Sequence, residues 1–182
     1  TDKTGTLTEN KLAVTRLLPP TSSDDMTDTS DRQRILEMAL CASEIHQLDR
    51  HLSGDPLDVA IAQRFMTESD RRFDATGQRH FAFDVEKKRA AGIAAVGNQQ
   101  VFAVKGAWEV LRPMLKQVCL PDVGSQPASI ELLDQAEAVM GHLAETGYRV
   151  VAIAGRNLTA PPPLEITQDQ LEKDLTLYGF LG

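Results

Sequence analysis

The sequence has little cysteine, few aromatic residues and no excess of positive charge. Its two cysteines, Cys41 and Cys119, lie in unrelated contexts, so a disulfide framework is excluded. A single disulfide stays open, but two buried, reduced thiols are the favoured interpretation. The net charge of −7 argues against a nucleic-acid partner, which normally requires a basic surface. Nucleotides are not excluded, because a few basic side chains can converge locally on phosphates.

Long apolar runs and metal-binding patterns are also missing. No apolar run approaches the roughly 18 residues that span a bilayer, and no signal peptide is visible. The four histidines are scattered and no Cys-x-x-Cys pair occurs, so the sequence indicates no zinc-type site. What is present, 182 residues of which 42% are hydrophobic and 25% charged, is ordinary for one globular domain.

The hydrophobic pattern predicts an α+β fold with a largely antiparallel sheet flanked by helices. Short strand-like runs, "RHFAF", "RAAGIAAV" and "QVFAV", follow one another, and Gly97-Asn98 between the last two is typical of a two-residue hairpin turn. Asp55-Pro56 predicts a helix start, with an N-cap followed by proline at the first helical position. Hairpins beside helices, without strict strand–helix alternation, favour the antiparallel arrangement.

Other segments are assigned from periodicity and turn composition. Helical spacing predicts a helix over residues 31–45 and a longer one from Ile130 to a C-terminal cap at Gly147. The remaining predictions are strands for "NKLAVTRLL", "YRVVAIAGRNL" and "DLTLYGFLG", and loops for "HQLDRHLSGD" and "CLPDVGSQP".

The opening stretch, "TDKTGTLTEN", carries the most chemistry. Asp2 is a candidate nucleophile that attacks a phosphoryl group and carries it as an aspartyl phosphate. Lys3 and the hydroxyl of Thr4 lie close enough in sequence to hold the incoming oxygens. Gly5 lets the backbone turn its N–H groups toward phosphate. An exposed polar N-terminus without a role is the alternative, which the unbroken run disfavours.

The run "DKTGTLT" resembles the phosphorylation-site signature of the P-type ATPases, ion pumps driven by an aspartyl-phosphate cycle. Related phosphatases carry a second Asp two positions after the nucleophile, where this chain has Thr4. The resemblance implies ATP and Mg²⁺ as cofactors, with Asp2 and Thr4 as Mg²⁺ ligands in the intact protein. It also implies an intact protein in the cell membrane, with this part on the cytoplasmic side.

In this family a nucleotide-binding domain is inserted between two halves of the phosphorylation domain. By that resemblance, residues 1–10 start the phosphorylation domain, residues 11–173 form the nucleotide-binding domain, and residues 174–182 return into the phosphorylation domain. Because the sequence begins in mid-motif without Met, we expect a fragment of a larger pump. Its expected partners are ATP or ADP and the phosphorylation, actuator and membrane domains of the same pump, and the fragment itself is expected to be monomeric.

Four further stretches resemble the family's nucleotide-binding motifs: "SGDPLDVAI", "FAFDVEKKRAA", "VKGAWEVL" and "ETGYRVVAIA". The residues that the resemblance assigns to the nucleotide are Asp58, Phe83, Lys88, Lys105, Gly106 and Arg149. In the family the acid accepts from the adenine amino group, the aromatic stacks on the base and the lysine of Lys-Gly-Ala lies at the back of the pocket. The glycine permits close approach, and the arginine nears the phosphates.

Each assignment has a plainer alternative. Asp58 could simply be favoured by the dipole in the first turn of a helix, and Lys105 could be a surface lysine. Phe81 is the rival of Phe83 for stacking, and Arg89 is the weaker candidate of the basic pair that it forms with Lys88.

The pump subtype and two other functions stay open at the level of sequence. The Lys-Gly-Ala and Gly-Asp-Pro segments resemble type II or III cation pumps, and no histidine is followed by the proline typical of heavy-metal pumps. A haloacid-dehalogenase-type phosphatase with a large cap domain is one alternative. A non-catalytic nucleotide-binding module is the other.

We expect the 182-residue fragment alone not to become phosphorylated on Asp2. Phosphoryl transfer needs metal ligands and γ-phosphate-positioning groups beyond one carboxylate, and the family's remaining ones are expected downstream of Gly182. The measurement is incubation with γ-labelled ATP and Mg²⁺ followed by acid quench. An acid-stable label that disappears in Asp2→Asn would contradict the expectation.

Overall fold

The computed structural model describes residues 11–49, 51–69 and 79–182. Within that part of the chain, the elements are five α-helices, ten strands and one short 3₁₀ helix (Arg112–Met114). The helices are α1 (Thr29–Cys41), α2 (Pro56–Glu68), α3 (Trp108–Leu111), α4 (Ile130–Glu145) and α5 (Gln168–Leu171). The strands are β1 (Leu17–Leu18), β2 (Ile45–Leu48), β3 (His51–Gly54), β4 (Arg79–Asp84), β5 (Arg89–Val96), β6 (Gln99–Gly106), β7 (Leu115–Leu120), β8 (Gly124–Pro127), β9 (Val151–Leu158) and β10 (Leu175–Leu181).

Eight of these strands form one large sheet in the order β4-β5-β6-β9-β10-β7-β8, with β1 paired to β10. Every pairing in it is antiparallel except that of β10 with β7. The remaining two strands, β2 and β3, form a separate hairpin. The prediction of a largely antiparallel sheet flanked by helices is confirmed.

The sheet has an apolar cluster on each face. On one face, α1 and α2 pack against alternate residues of β6 such as Val101 and Ala103. On the other face, α3 and α4 pack against the intervening residues, Phe102 and Val104. This alternation along a strand decides which way each polar side chain of β6 points.

Two local signals acted as predicted. The carboxylate of Asp55 accepts a hydrogen bond from the Leu57 N–H at 2.9 Å, and Pro56 is the first residue of α2. Gly97 takes φ +62° in the turn that pairs Val96 with Gln99. Both features were predictable because the signal lies in two adjacent residues.

Several boundaries differ from the prediction. Helix α1 begins at Thr29 because the Asp28 side chain caps it, and it ends at Cys41 rather than at residue 45. In the described part of the first predicted strand, residues 11–18, only Leu17–Leu18 is a strand. Upstream of it, the amides of Thr15 and Arg16 donate to the Gly182 carbonyl.

The two predicted loops are hairpins, β2–β3 and β7–β8. Most residues of β2, β3 and β8 are exposed, and β7 is partly buried with Val118 in the core. None of these strands shows the alternation that identifies a strand with one buried face. Asp49 and Asp122 adopt φ of +56° and +66° beside the turns, a conformation that Asp tolerates better than most residues.

Cys41 and Cys119 are not joined in a disulfide. Cys41 is buried, and burial raises its pKa to about 12. Cys119 is only partly buried, so the prediction of two buried thiols is wrong for this residue.

The predicted boundary at residues 173 and 174 falls just before β10. That strand lies inside the main sheet, between β9 on one side and β7 with β1 on the other. The division of the chain into three domain segments stays a prediction, and the sheet itself does not separate β10 from the strands before it.

Candidate functional site

The predicted nucleotide residues within the described ranges gather at one end of the sheet. The end of β4, the start of β5, the end of β6 and the start of β9 meet there, because Gly106 pairs with both Arg89 and Ala152. Phe83 lies at the end of β4, and Arg149 lies two residues before β9. Lys88 precedes β5, and Lys105 is the penultimate residue of β6.

Asp58 and Lys105, assigned separately from sequence, form one buried ion pair. The Lys105 Nζ lies 2.8 Å from Asp58 Oδ1, and the two side chains are 5% and 7% exposed. The alternation along β6 points Lys105 at α2, where Asp58 lies in the first turn. Two opposite buried charges offset each other's desolvation, which an unpaired lysine could not do. The alternative of a surface lysine is therefore wrong.

One oxygen of the buried Asp58 carboxylate has no hydrogen-bond donor among the described residues. Its Oδ2 accepts a hydrogen bond from the Glu44 N–H at 3.1 Å. Its Oδ1 lies beside the ammonium but accepts no well-aligned hydrogen bond from the described chain. A carboxylate oxygen has two acceptor positions, but Oδ1 is itself buried, so a ligand reaches it only after the surrounding groups move.

The two phenylalanines of β4 have different surroundings. The Phe81 ring packs edge-on against Phe102 with centroids 6.4 Å apart, and the Arg79 guanidinium lies 4.8 Å from its centroid. Phe83 is 59% exposed. The Phe81 ring is thus packed against other side chains, whereas the Phe83 ring is exposed at the end of the sheet.

The β4–β5 turn is held by Asp84. Its Oδ1 accepts from the amides of Glu86 at 2.8 Å and Lys87 at 3.1 Å. The hydrogen bond from the Lys87 amide makes the largest contribution to lowering the pKa of Asp84 below its usual value, and the one from the Glu86 amide makes the next largest. The Lys88 amide donates to the Asp84 carbonyl at 2.7 Å, which closes the turn.

Lys88 has an unusual backbone and an accessible side chain. Its φ is +56°, in the left-handed region that costs a residue with a Cβ about 1 kcal/mol or more. Its ammonium lies 3.6 Å from the exposed Glu109 carboxylate. Such exposed pairs contribute little stability, so this ammonium is available to another anion.

Gly106 permits a close approach of the chain to itself. A Cβ at this position would lie 2.7 Å from the Lys88 carbonyl oxygen and 2.7 Å from Arg89 Cβ. The Ala107 amide donates to that same carbonyl at 3.1 Å. The glycine therefore lets β6 press against the turn that carries Lys88.

Arg149 is exposed in the irregular segment between Gly147 and β9. It lines a cavity of about 220 Å³ together with Leu57, the neighbour of Asp58 in α2. The cavity also contacts residues 11–14 and Gly182. Arg149 and the buried pair therefore lie on adjoining parts of the same sheet end.

Sequence reasoning missed two side chains of this region. Glu172 holds Arg89 in a bidentate ion pair, with Nη2 2.7 Å from Oε1. His80 lies with Nδ1 3.3 Å from the Glu44 carboxylate and Nε2 3.2 Å from the Ala42 carbonyl. Neither Glu172 nor His80 stands in a local pattern, because each contact joins distant segments.

The catalytic and metal-binding predictions, Asp2, Lys3 and Thr4, lie outside the described residues. Within the described ranges, no group of three His, Cys, Asp or Glu side chains could hold a metal ion. No helix in those ranges combines the length and apolar character needed to cross a membrane.

Comparison with known proteins identifies the class. Residues 35–182 match the family model described as P-type ATPase, cytoplasmic domain N, and the chain belongs to this family. Calcium-transporting ATPase 1 of Lactococcus lactis subsp. lactis (strain IL1403) is 33% identical over 188 residues, covering 99% of this chain and 21% of that protein.

Two further relatives match over the whole chain. Calcium-transporting ATPase of Bacillus subtilis (strain 168) is 28% identical over 217 residues, which is 23% of its length. Probable cation-transporting ATPase I of Mycobacterium leprae (strain TN) is 28% identical over 192 residues, which is 11% of its length. The chain thus spans less than a quarter of each of these relatives.

Proposed function

We propose that this chain is the ATP-binding part of a P-type cation-transporting ATPase and that it presents ATP to Asp2 for phosphorylation. The observation that carries the proposal is the convergence at one sheet end of an exposed aromatic ring, a buried Asp58–Lys105 pair and accessible cations. These are the groups that an adenine ring and a polyphosphate require.

In the proposed complex, the adenine base lies between the Phe83 ring and the Asp58–Lys105 pair. Stacking on an exposed aromatic face contributes roughly 1–3 kcal/mol per base. After a local movement that exposes the buried Oδ1, the Asp58 carboxylate accepts a hydrogen bond from the exocyclic amino group of adenine. Lys105, whose Nζ lies 2.8 Å from Asp58 Oδ1, keeps that carboxylate oriented.

The phosphates are placed toward Lys88 and Arg149. The Lys88 ammonium exchanges its exposed partner Glu109 for a phosphate oxygen. Arg149 offers a planar set of donors that suits phosphate oxygens in pairs. Because the chain carries a net charge of −7, these local cations also have to overcome an unfavourable background, and we expect modest affinity.

The role of the whole protein follows from the relatives. The names calcium-transporting and cation-transporting ATPase support an intact protein that hydrolyses ATP to move a cation across a membrane. In it, this chain would lie on the cytoplasmic side and work with phosphorylation, actuator and membrane domains. Mg²⁺ would offset the charge of the transferred phosphoryl group, with Asp2 and Thr4 as the predicted ligands from this chain.

The test is a calorimetric titration of the 182-residue chain with ATP and with GTP. ATP should bind more tightly than GTP. Adenine has an amino group that donates a hydrogen bond to Asp58, whereas guanine has a carbonyl at that position. Asp58→Asn should narrow the difference, since an amide can donate to that carbonyl. Asp134→Asn, which makes the same change at an exposed carboxylate on α4, is the control and should leave selectivity unchanged. Equal binding of GTP and ATP by the unmodified chain would count against the assignment of Asp58.

A further inference from the structure

The three consecutive basic residues of the β4–β5 turn point in two directions. The Lys87 ammonium lies 3.6 Å from the Asp169 carboxylate on α5. Arg89 also turns toward this region and meets Glu172, one residue beyond α5. Lys88 alone turns toward α3, where its partner is Glu109. The turn is therefore held by ion pairs on the α5 side, and on the α3 side it presents only the Lys88 ammonium.

The fastening on the α5 side is a buried, geometrically specific contact. Arg89 and Glu172 are 11% and 2% exposed, and two nitrogens of Arg89 meet two oxygens of Glu172. Gln168 donates a further hydrogen bond to Glu172 Oε2 at 3.3 Å. The third nitrogen of Arg89, Nη1, donates to the Lys87 carbonyl at 3.0 Å. Arg89 thus links the carboxylate directly to the backbone of the turn.

The neighbouring residue needs that support. Lys88 keeps a φ of +56°, which a residue with a Cβ holds only when the surroundings enforce it. Its amide and its carbonyl are both engaged, by Asp84 and by the Ala107 amide. Arg89 follows Lys88 immediately, so a fixed Arg89 limits where the Lys88 backbone can go.

We propose that Glu172 is a positioning residue for the phosphate side of the nucleotide site. It holds Arg89 and, through Arg89, fixes the turn so that the Lys88 ammonium projects from the sheet end. Glu172 itself does not touch the nucleotide. The inference rests on the proposed function, because it needs this sheet end to bind ATP.

The main test is Glu172→Gln in the 182-residue chain, titrated with ATP and with adenosine. ATP binding should weaken by about 5-fold or more, the lower range of a coupling between linked positions, while adenosine binding stays unchanged. A merely structural role would weaken both ligands together. Glu137→Gln, which alters a carboxylate that Trp108 and Arg112 hold on α4, is the control and should change neither. Unchanged ATP binding in a folded Glu172→Gln chain would overturn the proposal.

A double-mutant cycle tests whether Glu172 acts through Lys88. Lys88→Ala removes the ammonium, so adding Glu172→Gln should cause little further loss of ATP affinity. Because residues that act through one another are not additive, fully additive losses would contradict the proposed route.

Hydrogen exchange keeps the inference testable if Glu172→Gln does not fold. In the unmodified chain, the amides of Lys88 and Ala107 should exchange slowly despite lying in or beside a turn. In Arg89→Lys, which keeps the charge but not the bidentate contact, both should exchange faster while the Ala154 amide of β9 does not. Fast exchange of both turn amides in the unmodified chain would overturn the inference. Failure of that chain to bind either ligand would instead defeat the proposed function.

Discussion

Phe83→Ala should weaken ATP binding by roughly 5- to 150-fold, which corresponds to the roughly 1–3 kcal/mol of one base–aromatic stack. The fold should be unaffected, since the ring is 59% exposed and surface substitutions usually change the free energy of unfolding by less than about 0.5 kcal/mol. Calorimetric titration with ATP measures the first effect, and urea denaturation measures the second.

Two neighbouring substitutions serve as controls for Phe83→Ala. Val85 is an exposed apolar residue in the adjoining turn, so Val85→Ala should leave both quantities unchanged. Phe81→Ala should instead lower stability, because it removes the contact with Phe102. If folded Phe83→Ala binds ATP as the unmodified chain does, the ring does not stack on the base.

The parts of the fold that could be predicted are those with local signals. Asp55-Pro56 and Gly97-Asn98 each specify a conformation through residues that are adjacent in the chain. The hairpins β2–β3 and β7–β8 could not be recognised in this way. Their strands pair through the backbone, and backbone pairing leaves no hydrophobic pattern in the sequence.

The resemblance to the family indicated which residues belong to the candidate site. Only the structure shows which of these residues contact one another. Sequence spacing cannot show that Lys105 faces Asp58, because that depends on the register of β6 and on which helix covers that face. A shift of one residue would turn Lys105 to the opposite face. The contact of Arg89 with Glu172 spans 83 positions and is equally invisible to local patterns.

Phe83 and Lys88 are exposed because neighbouring residues of similar type make the packing contacts, which the sequence alone does not show. Both belong to a strand–turn–strand unit in which the similar neighbouring side chains are engaged, Phe81 by Phe102 and Arg89 by Glu172. In each pair of similar residues, one side chain (Phe81 or Arg89) contacts the rest of the protein, and the other (Phe83 or Lys88) stays accessible. This division favours Phe83 over Phe81, and Lys88 over Arg89, as the ligand-binding partners.

The buried pair should give the largest effect on stability. Lys105→Met leaves the Asp58 carboxylate buried with only the Glu44 amide as a hydrogen-bond donor, and loss of one partner of a buried pair costs about 3–5 kcal/mol. Replacing both, as Asp58→Leu with Lys105→Met, should recover part of that loss because no uncompensated charge remains. Urea denaturation of the two single variants and the double variant measures the coupling.

Lys116→Met is the matched control for Lys105→Met. Its ammonium lies 3.9 Å from the Asp174 carboxylate, but the two side chains are 69% and 60% exposed, so the expected loss is below about 1 kcal/mol. If Lys105→Met lowers stability no more than Lys116→Met does, the Asp58–Lys105 pair is not buried in solution. The double variant, in contrast, should fold but lose the preference for ATP over GTP, since the acceptor of the adenine amino group has gone while the stacking ring of Phe83 remains.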